Sequence, residues 1–506
     1  MLSKVIAGST LGLHGVLVEV EVDVAGRGFP TFTIVGLPGK AIDEAKERVR
    51  TAVSNAGYEM PDSRITVNLA PADVPKSGTA FDLAIAVGIL TSSRILEQST
   101  LGNSMFIGEL SLQGNVRRVN GIIPLIILAQ EQQIGKVFIP YENVSEADIF
   151  DDIDIYPVRS LDELISHLTG KQGIEPYKYD FSVKSNQKKN YENNFSQIKG
   201  QEQAKRALEI AAAGFHNVHL RGSPGSGKTL LSRSIPTIMP SLNKKEMFEV
   251  AKIYSITGEI SSELFDGTRP FRAPHHTISR VGLIGGGSNP SPGEISMSHR
   301  GVLFLDEFPE FPRSVLEAMR QPMEDGIVTV SRAAGSLTFP ARFLLLAASN
   351  PCPCGYLGHP KKACKCSPSL VHRYQKRLSG PLLDRIDLHI DVLPVEVEKL
   401  AEQYTAESSE SIRERVLKAQ DLQKRRFQET PLTFNSEMSS ADTKKFCSMG
   451  ENAFQLLNQA VERLNLSARS YFKMIKISRT IADLEGSEKI IPVHIAEALQ
   501  YRTKEI

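Results

Sequence analysis

Gly222-Ser223-Pro224-Gly225-Ser226-Gly227-Lys228-Thr229 is an unbroken G-x-x-x-x-G-K-T loop. Glycines at this spacing let consecutive backbone N–H groups close on an anion, because a side chain would block both the approach and the positive φ. Lys228 supplies the charge that neutralises the β- and γ-phosphates of a nucleoside triphosphate, and Thr229 supplies a hydroxyl for its Mg²⁺. Downstream, the apolar run Gly301-Val302-Leu303-Phe304-Leu305 ends in Asp306 and Glu307. Asp306 is placed to hold the Mg²⁺ hydration shell, and Glu307 to polarise an attacking water. These residue types in this order predict hydrolysis of a nucleoside triphosphate.

A second cluster is Cys352-Pro353-Cys354, followed by Cys364-Lys365-Cys366. Two C-x-C pairs joined by a short loop can converge on one tetrahedral ion, and four thiolates suit structural Zn²⁺. Reduced free thiols are the other reading, since the pairs are tighter than the usual C-x-x-C. Such a site would staple a loop just after Asn350 and leave no open position for catalysis. His359 and His372 are spare ligands, and Cys447 stands apart. Four clustered cysteines out of five argue against a secreted disulfide framework and for a reducing, cytoplasmic compartment.

The phosphate loop needs a strand before it and a helix after it. Val218-His219-Leu220 reads as the end of a buried strand, and Leu230 to Ile235 as a helix start whose dipole adds to the anion site. At 506 residues the chain is too long for one core, so several domains are expected. A net charge of +1 excludes a global pull toward nucleic acid or membrane, so any nucleic-acid surface is a local patch. No apolar stretch is long and charge-free enough to span a bilayer, and no membrane partner is expected.

In residues 1–170, Val18, Val20, Val22 and Val24 alternate with Glu19, Glu21 and Asp23, the pattern of a strand with one wet face. Phe32–Val35 and Arg64–Leu69 read as further strands, and Ala41–Asn55 and Phe81–Leu90 as helices. The segments Pro75 to Asp82, Ile107 to Gly114 and Val119 to Ile123 resemble the proteolytic domain of Lon-type proteases. That resemblance implies an α/β domain with a Ser/Lys dyad. Ala80 falls at the serine position and Ile123 at the lysine position. Neither can do the chemistry, so the domain keeps the fold without peptidase activity. Ser77 reads as a turn residue. Residues 171–194 read as a linker.

Residues 195–395 resemble AAA+ P-loop ATPases. The resemblance places Ile198, Gly200 and Gln201 at the edge of the adenine pocket, and Asn350 at the sensor 1 position that orients the hydrolytic water. Ser379 to Asp387 resembles the arginine-finger segment of the magnesium-chelatase and helicase branch, with Arg385 reaching a neighbour's γ-phosphate; an ion pair with Asp384 or Asp387 is the other reading. Two insertions, Ile284 to His299 and the hairpin around Ala333-Ala334-Gly335, correspond to that branch's pore-lining elements. Arg332 and Arg342 are candidate DNA contacts there, through phosphates rather than bases. The adjacent His275 and His276 are expected to diverge along a strand and to serve in hydrogen bonding or interface packing. Residues 396–506 resemble the α-helical lid of AAA+ proteins, with Arg469 at the sensor 2 position, in cis or in trans.

Over the whole chain the order resembles the YifB family of magnesium-chelatase-like ATPases. The fold class is therefore α/β: a degenerate Lon-protease-like N-terminal domain, an AAA+ P-loop core and a C-terminal helical lid. The family implies a homo-hexamer that uses ATP and Mg²⁺ to move on DNA and drive branch migration in recombination and natural transformation. The alternative is an ATPase chaperone for metal insertion, like the magnesium-chelatase subunit.

Overall fold

Val18, Val20 and Val22 are fully buried while Glu19 and Glu21 stay partly wet, as their alternation predicts. They belong to the strand His14–Val24, which pairs antiparallel with Leu2–Leu11. A computed structural model describes residues 2–26, 29–37, 39–72, 76, 78–178, 193–287, 290–332, 335–394 and 406–503. Ser77, the tip of the Ala333–Ala334 turn, and residues 179–192 of the expected linker lie outside that set.

The chain divides into two compact units. The first comprises 1–187 together with 243–267, the second 188–242 together with 268–506. A stretch inside the sequence span of the ATPase core thus clusters with the first unit.

The first unit is built on a seven-stranded mixed sheet. Its order is Phe32–Val35, Ile65–Ala70, His14–Val24, Leu2–Leu11, Ser104–Phe106, Lys136–Pro140 and Asp154–Val158. The helix Asp82–Ser92 is buried along its whole length, which explains why its sequence is apolar all round instead of on one stripe. Ile123 is fully buried near the start of the helix Ile122–Glu131. The helix Lys244–Thr257 brings Ser255 against that start. The Ser255 carbonyl accepts from Gly121 N–H at 2.8 Å, and its hydroxyl accepts from Ile123 N–H at 3.2 Å and donates to the buried Glu146 carboxylate at 2.5 Å.

The second unit is a five-stranded parallel sheet in the order Phe271–Arg272, Val302–Leu305, Leu344–Ser349, Val218–Gly222 and Leu388–Val392. One apolar core runs from Val218, Leu220 and Leu346 into the C-terminal helices Ser409–Arg426, Glu451–Arg463, Ala468–Leu484 and Pro492–Gln500. Ile412, Val416 and Ala419 form the buried stripe of the first of these helices. Arg426, at the basic end of that helix, is spent on Asp483 and Asn435 inside the unit. The strands Ile327–Arg332 and Gly335–Pro340 form the expected antiparallel hairpin. A short helix, Arg280–Ile284, leads into the glycine-rich insert, which holds Gly285–Gly286 paired with Ser291–Pro292 and then the short helix Glu294–Met297.

Candidate nucleotide site

The phosphate loop joins the strand Val218–Gly222 to the helix Lys228–Ile238, as the flanking residues require. Gly227 caps that helix at φ 91°, a conformation an L side chain resists. Lys228 is buried, and its ammonium folds back on the loop. It donates to Gly222 O at 2.7 Å, to Ser223 O at 2.9 Å and to Asn350 Oδ1 at 3.3 Å. Burial lowers its pKa, with Asp306 opposing the shift. Thr229 Oγ1 donates to Asp306 Oδ2 at 2.9 Å, so the hydroxyl and the carboxylate expected to share one Mg²⁺ face each other. Among the described residues, the Ser223 and Ser226 hydroxyls are buried in the loop without a partner. Buried polar atoms are normally paired. A concave loop with two unspent hydroxyls and one lysine fits a polyphosphate.

Glu307 sits at φ 51°, a strained position for a non-glycine residue at a strand end. Its N–H donates to Asp306 Oδ1 at 2.9 Å, and its carboxylate lies 3.1 Å from His276 Nδ1. His275 and His276 do not diverge along a strand. The strand ends at Arg272, and the two rings lie with centroids 4.1 Å apart, tilted by 34°, in the segment that follows. Gln201, at φ 60°, ends the segment Ile198–Gly200 and donates to Ser226 O at 3.2 Å and to Leu393 O at 2.5 Å. It ties the loop to the end of the neighbouring strand. Asn350 also borders a cavity of about 80 Å³ shared with His219, Arg221, Tyr374 and His389. That cavity contains no phosphate-loop residue, so the loop is the better place for nucleotide.

The four clustered cysteines bring their sulfurs within 4.8 Å of one another. Cys352 Sγ lies 3.4 Å from Cys354 Sγ and 3.6 Å from Cys364 Sγ. A tetrahedral ion with bonds of about 2.3 Å holds its sulfurs about 3.8 Å apart, so the set fits Zn²⁺. The N–H of Tyr356, then that of Lys365, draws the Cys354 thiol down to about 6. The next residue packs on the phosphate loop. Gly355 is at φ 80°, and a Cβ there would fall 2.4 Å from Pro224 Cδ.

Arg385 and Arg469 lie apart from these groups. Arg385 does not pair with Asp384 or Asp387. Its Nε donates to Glu324 at 3.1 Å, a terminal nitrogen donates to the same oxygen, and the other terminal nitrogen donates to Pro381 O at 2.8 Å. Arg469 reaches the other oxygen of Glu324 at 3.7 Å. Asn217 Nδ2 donates to Arg385 O at 3.3 Å, which fixes Arg385 at the beginning of the sheet strands, whereas the phosphate loop follows their ends. The five residues of Val218–Gly222, at about 3.3 Å each, put those two edges about 15 Å apart. Arg342 pairs with Glu437 at 3.5 Å and stays half exposed. The backbone of Arg332 is on the hairpin, and its side chain lies outside the described residues. Glu324 and Gly355 carried no signal in the sequence, whereas the expected hydrogen-bonding role of the His275–His276 pair agrees with the contact of His276 to Glu307.

Residues 194–400 match the family described as magnesium chelatase, subunit ChlI. Residues 20–143 match subunit ChlI of Mg-chelatase, and 406–502 the ChlI C-terminal region. The competence protein ComM of Haemophilus influenzae is 42% identical over 99% of this chain and 97% of its own length. The uncharacterized protein YifB of Escherichia coli is 39% identical over the same shares. Lon protease 2 of Bacillus subtilis is 28% identical over 30% of each chain. Among the described residues, no helix is long and apolar enough to cross a membrane.

Proposed function

Because this chain belongs to the YifB/ComM family of magnesium-chelatase-like AAA+ proteins, we propose that it is an ATPase whose hydrolysis drives movement along DNA, as a homo-hexamer promoting branch migration in recombination and natural transformation. The observation that carries the assembly is the separation of the two halves of the site. Lys228, Thr229, Asp306, Glu307 and Asn350 gather at the end of the strands, while Arg385 is held about 15 Å away at their beginning. An arginine there serves the γ-phosphate of an adjoining copy. Arg469 shares its carboxylate partner and belongs with it, in trans.

Within one protomer the loop N–H groups and Lys228 bind the phosphates, Ile198, Gly200 and Gln201 border the base, and Glu307 accepts a proton from the attacking water while Asn350 orients it. Thr229 and Asp306 would hold Mg²⁺, which supplies charge neutralisation on the phosphates. Arg385 stabilises charge that develops in the transition state. Cys352, Cys354, Cys364 and Cys366 hold structural Zn²⁺. The hairpin bearing Arg332, and Arg342 beyond it, present cations to DNA phosphates. In domain terms we read 1–170 as the Lon-like domain, 171–194 as linker, 195–395 as the ATPase core and 396–506 as the lid.

ATP turnover measured with no DNA, linear duplex and a four-way junction tests this reading. Stimulation by DNA together with movement of the junction is expected. Neither stimulation nor branch movement would overturn the motor and favour the metal-insertion chaperone that the matched family's description suggests.

A further inference from the structure

We propose that Glu324 is a positioning residue that presents Arg385 and Arg469 as one two-guanidinium unit to the nucleotide of the adjoining protomer; this rests on the shared-site reading above. Glu324 closes the short helix Arg320–Asp325, just before the hairpin. Its two oxygens are divided. One takes Nε and a terminal nitrogen of Arg385, and the other lies 3.7 Å from Arg469. The three residues come from segments far apart in the chain, so their meeting is a product of the fold.

The surroundings hold this arrangement from both sides. Pro381 O fixes the remaining arm of Arg385, and Asn217 Nδ2 fixes its carbonyl. Four residues beyond Arg469, the buried Lys473 donates to Ile386 O at 2.8 Å. That bond pins the first turns of the helix Ala468–Leu484 to the residue following Arg385. The helix is therefore locked where Arg469 must come beside Arg385.

The pair is open on one side only. Glu324 is half exposed and Arg469 is 44% exposed, while the Arg385 side chain is 12% exposed, so Glu324 and Arg469 face outward and Arg385 is largely enclosed. Hydrogen bonding from Arg385, with smaller contributions from the Arg469 and Arg320 charges, holds the Glu324 carboxyl below the usual carboxylate range. Two cations against one anion leave a net positive charge for a phosphate. A guanidinium has five N–H donors in a rigid fork. Arg385 spends three of its nitrogens' donors here and keeps two N–H groups, while Arg469 makes an ion pair and keeps its donors. A long side chain already fixed loses less freedom when it meets its ligand.

The test uses the full chain and mixed rings. Glu324→Ala is expected to lower kcat of the assembled protein on the order of ten- to a hundredfold, the scale of a misplaced catalytic group. KM and nucleotide affinity should hold, and Glu324→Asp should recover part of the loss. Lys228→Ala supplies intact arginines on a protomer that binds no nucleotide. Mixed with Glu324→Ala, it should raise turnover above the sum of the two separate proteins. Arg385→Ala mixed with Lys228→Ala is the control. If the control complements while Glu324→Ala turns over normally, or is slow and does not complement, the role of Glu324 is overturned and the shared site stands. If the control itself fails, the shared site falls and Glu324's role with it.

Discussion

The two units differ in how the polar groups around their helix starts are spent. In each, a helix begins on a polar residue. In the second unit that residue is Lys228, and around it two buried hydroxyls, on Ser223 and Ser226, have no partner among the described residues. In the first it is Asp82, bonded to Arg48 at 2.8 Å and to Leu110 N–H at 3.2 Å. Thr79, beside Ala80, donates to Glu109. The backbone at Ile123 is closed by Ser255. The phosphate loop thus keeps buried hydroxyls that are not hydrogen-bonded among the described residues, whereas Asp82, Thr79 and the Ile123 backbone are each bonded internally. Leaving a buried polar group unpaired costs about 1–3 kcal/mol.

The largest effect that would break this contrast lies at the unspent site. Lys228→Ala should abolish nucleotide binding at concentrations that saturate the unaltered protein, measured by calorimetry. Glu307→Gln should bind normally and slow hydrolysis by about a hundredfold or more, trapping ATP in single-turnover assays. Normal turnover in either variant would remove the residue from its role.

Next comes the saturated site. Ile123→Lys combined with Ala80→Ser restores the residue types of a dyad, yet no peptidase activity is expected. Burying an ammonium where an isoleucine is fully enclosed should cost about 3–5 kcal/mol in chemical denaturation of the first unit. A stable double variant that cleaves casein would show that the site was only dormant.

Smaller effects are expected at the cysteine cluster. Purified protein should carry one Zn²⁺ per chain, and Cys364→Ser should lose it. Since Gly355 rests on Pro224, that variant should also weaken nucleotide binding, by about 1 kcal/mol in titration. Protein without zinc and with unchanged affinity would separate the cluster from the loop.

A further comparison of the two units runs through pH. Burial pushes His219 down to about 3 and His389 to about 4. Both stay neutral in the folded state and bind protons on unfolding. Their stabilisation is therefore present above the unfolded value near 6.5 and is lost as pH falls toward 4. Between pH 7 and 5 each costs the second unit about 2 kcal/mol. Burial raises Asp82 to about 6, with Arg48 opposing it. The folded acid takes up its proton first, so the first unit gains about 1 kcal/mol over the same interval. Calorimetry at pH 7 and pH 5 should show the two transitions moving in opposite directions, and His219→Phe should reduce the shift of the second unit.

Legibility in the sequence followed the range of the interaction. The loop, its strand and helix, the acidic strand end and the alternation at Val18–Val22 are written within a dozen residues, where spacing alone sets geometry. The convergence of four thiols could be read because all four ligands lie between Cys352 and Cys366. Glu324 could not be read, because it meets Arg385 from 61 residues away and carries an ordinary helix-end residue type. His275 and His276 do not diverge as expected because the strand stops at Arg272, before them. The helix Lys244–Thr257 and its partnership with Gly121, Ile123 and Glu146 were not legible, since hydrogen bonds made by a serine carry no mark in composition.

That helix changes what counts as a separable piece of this protein. The chain passes between its two units at 187/188, 242/243 and 267/268. A fragment ending at residue 187 would lack Ser255, leaving Gly121 N–H, Ile123 N–H and the buried Glu146 carboxylate without their partners. A fragment beginning at 188 would carry a helix whose Phe248 has lost its edge-to-face contact with Phe150. No single cut yields two finished domains, and simple end-to-end joining of two genes does not produce this wiring. Heredity must pass the two units on together, as one spliced object.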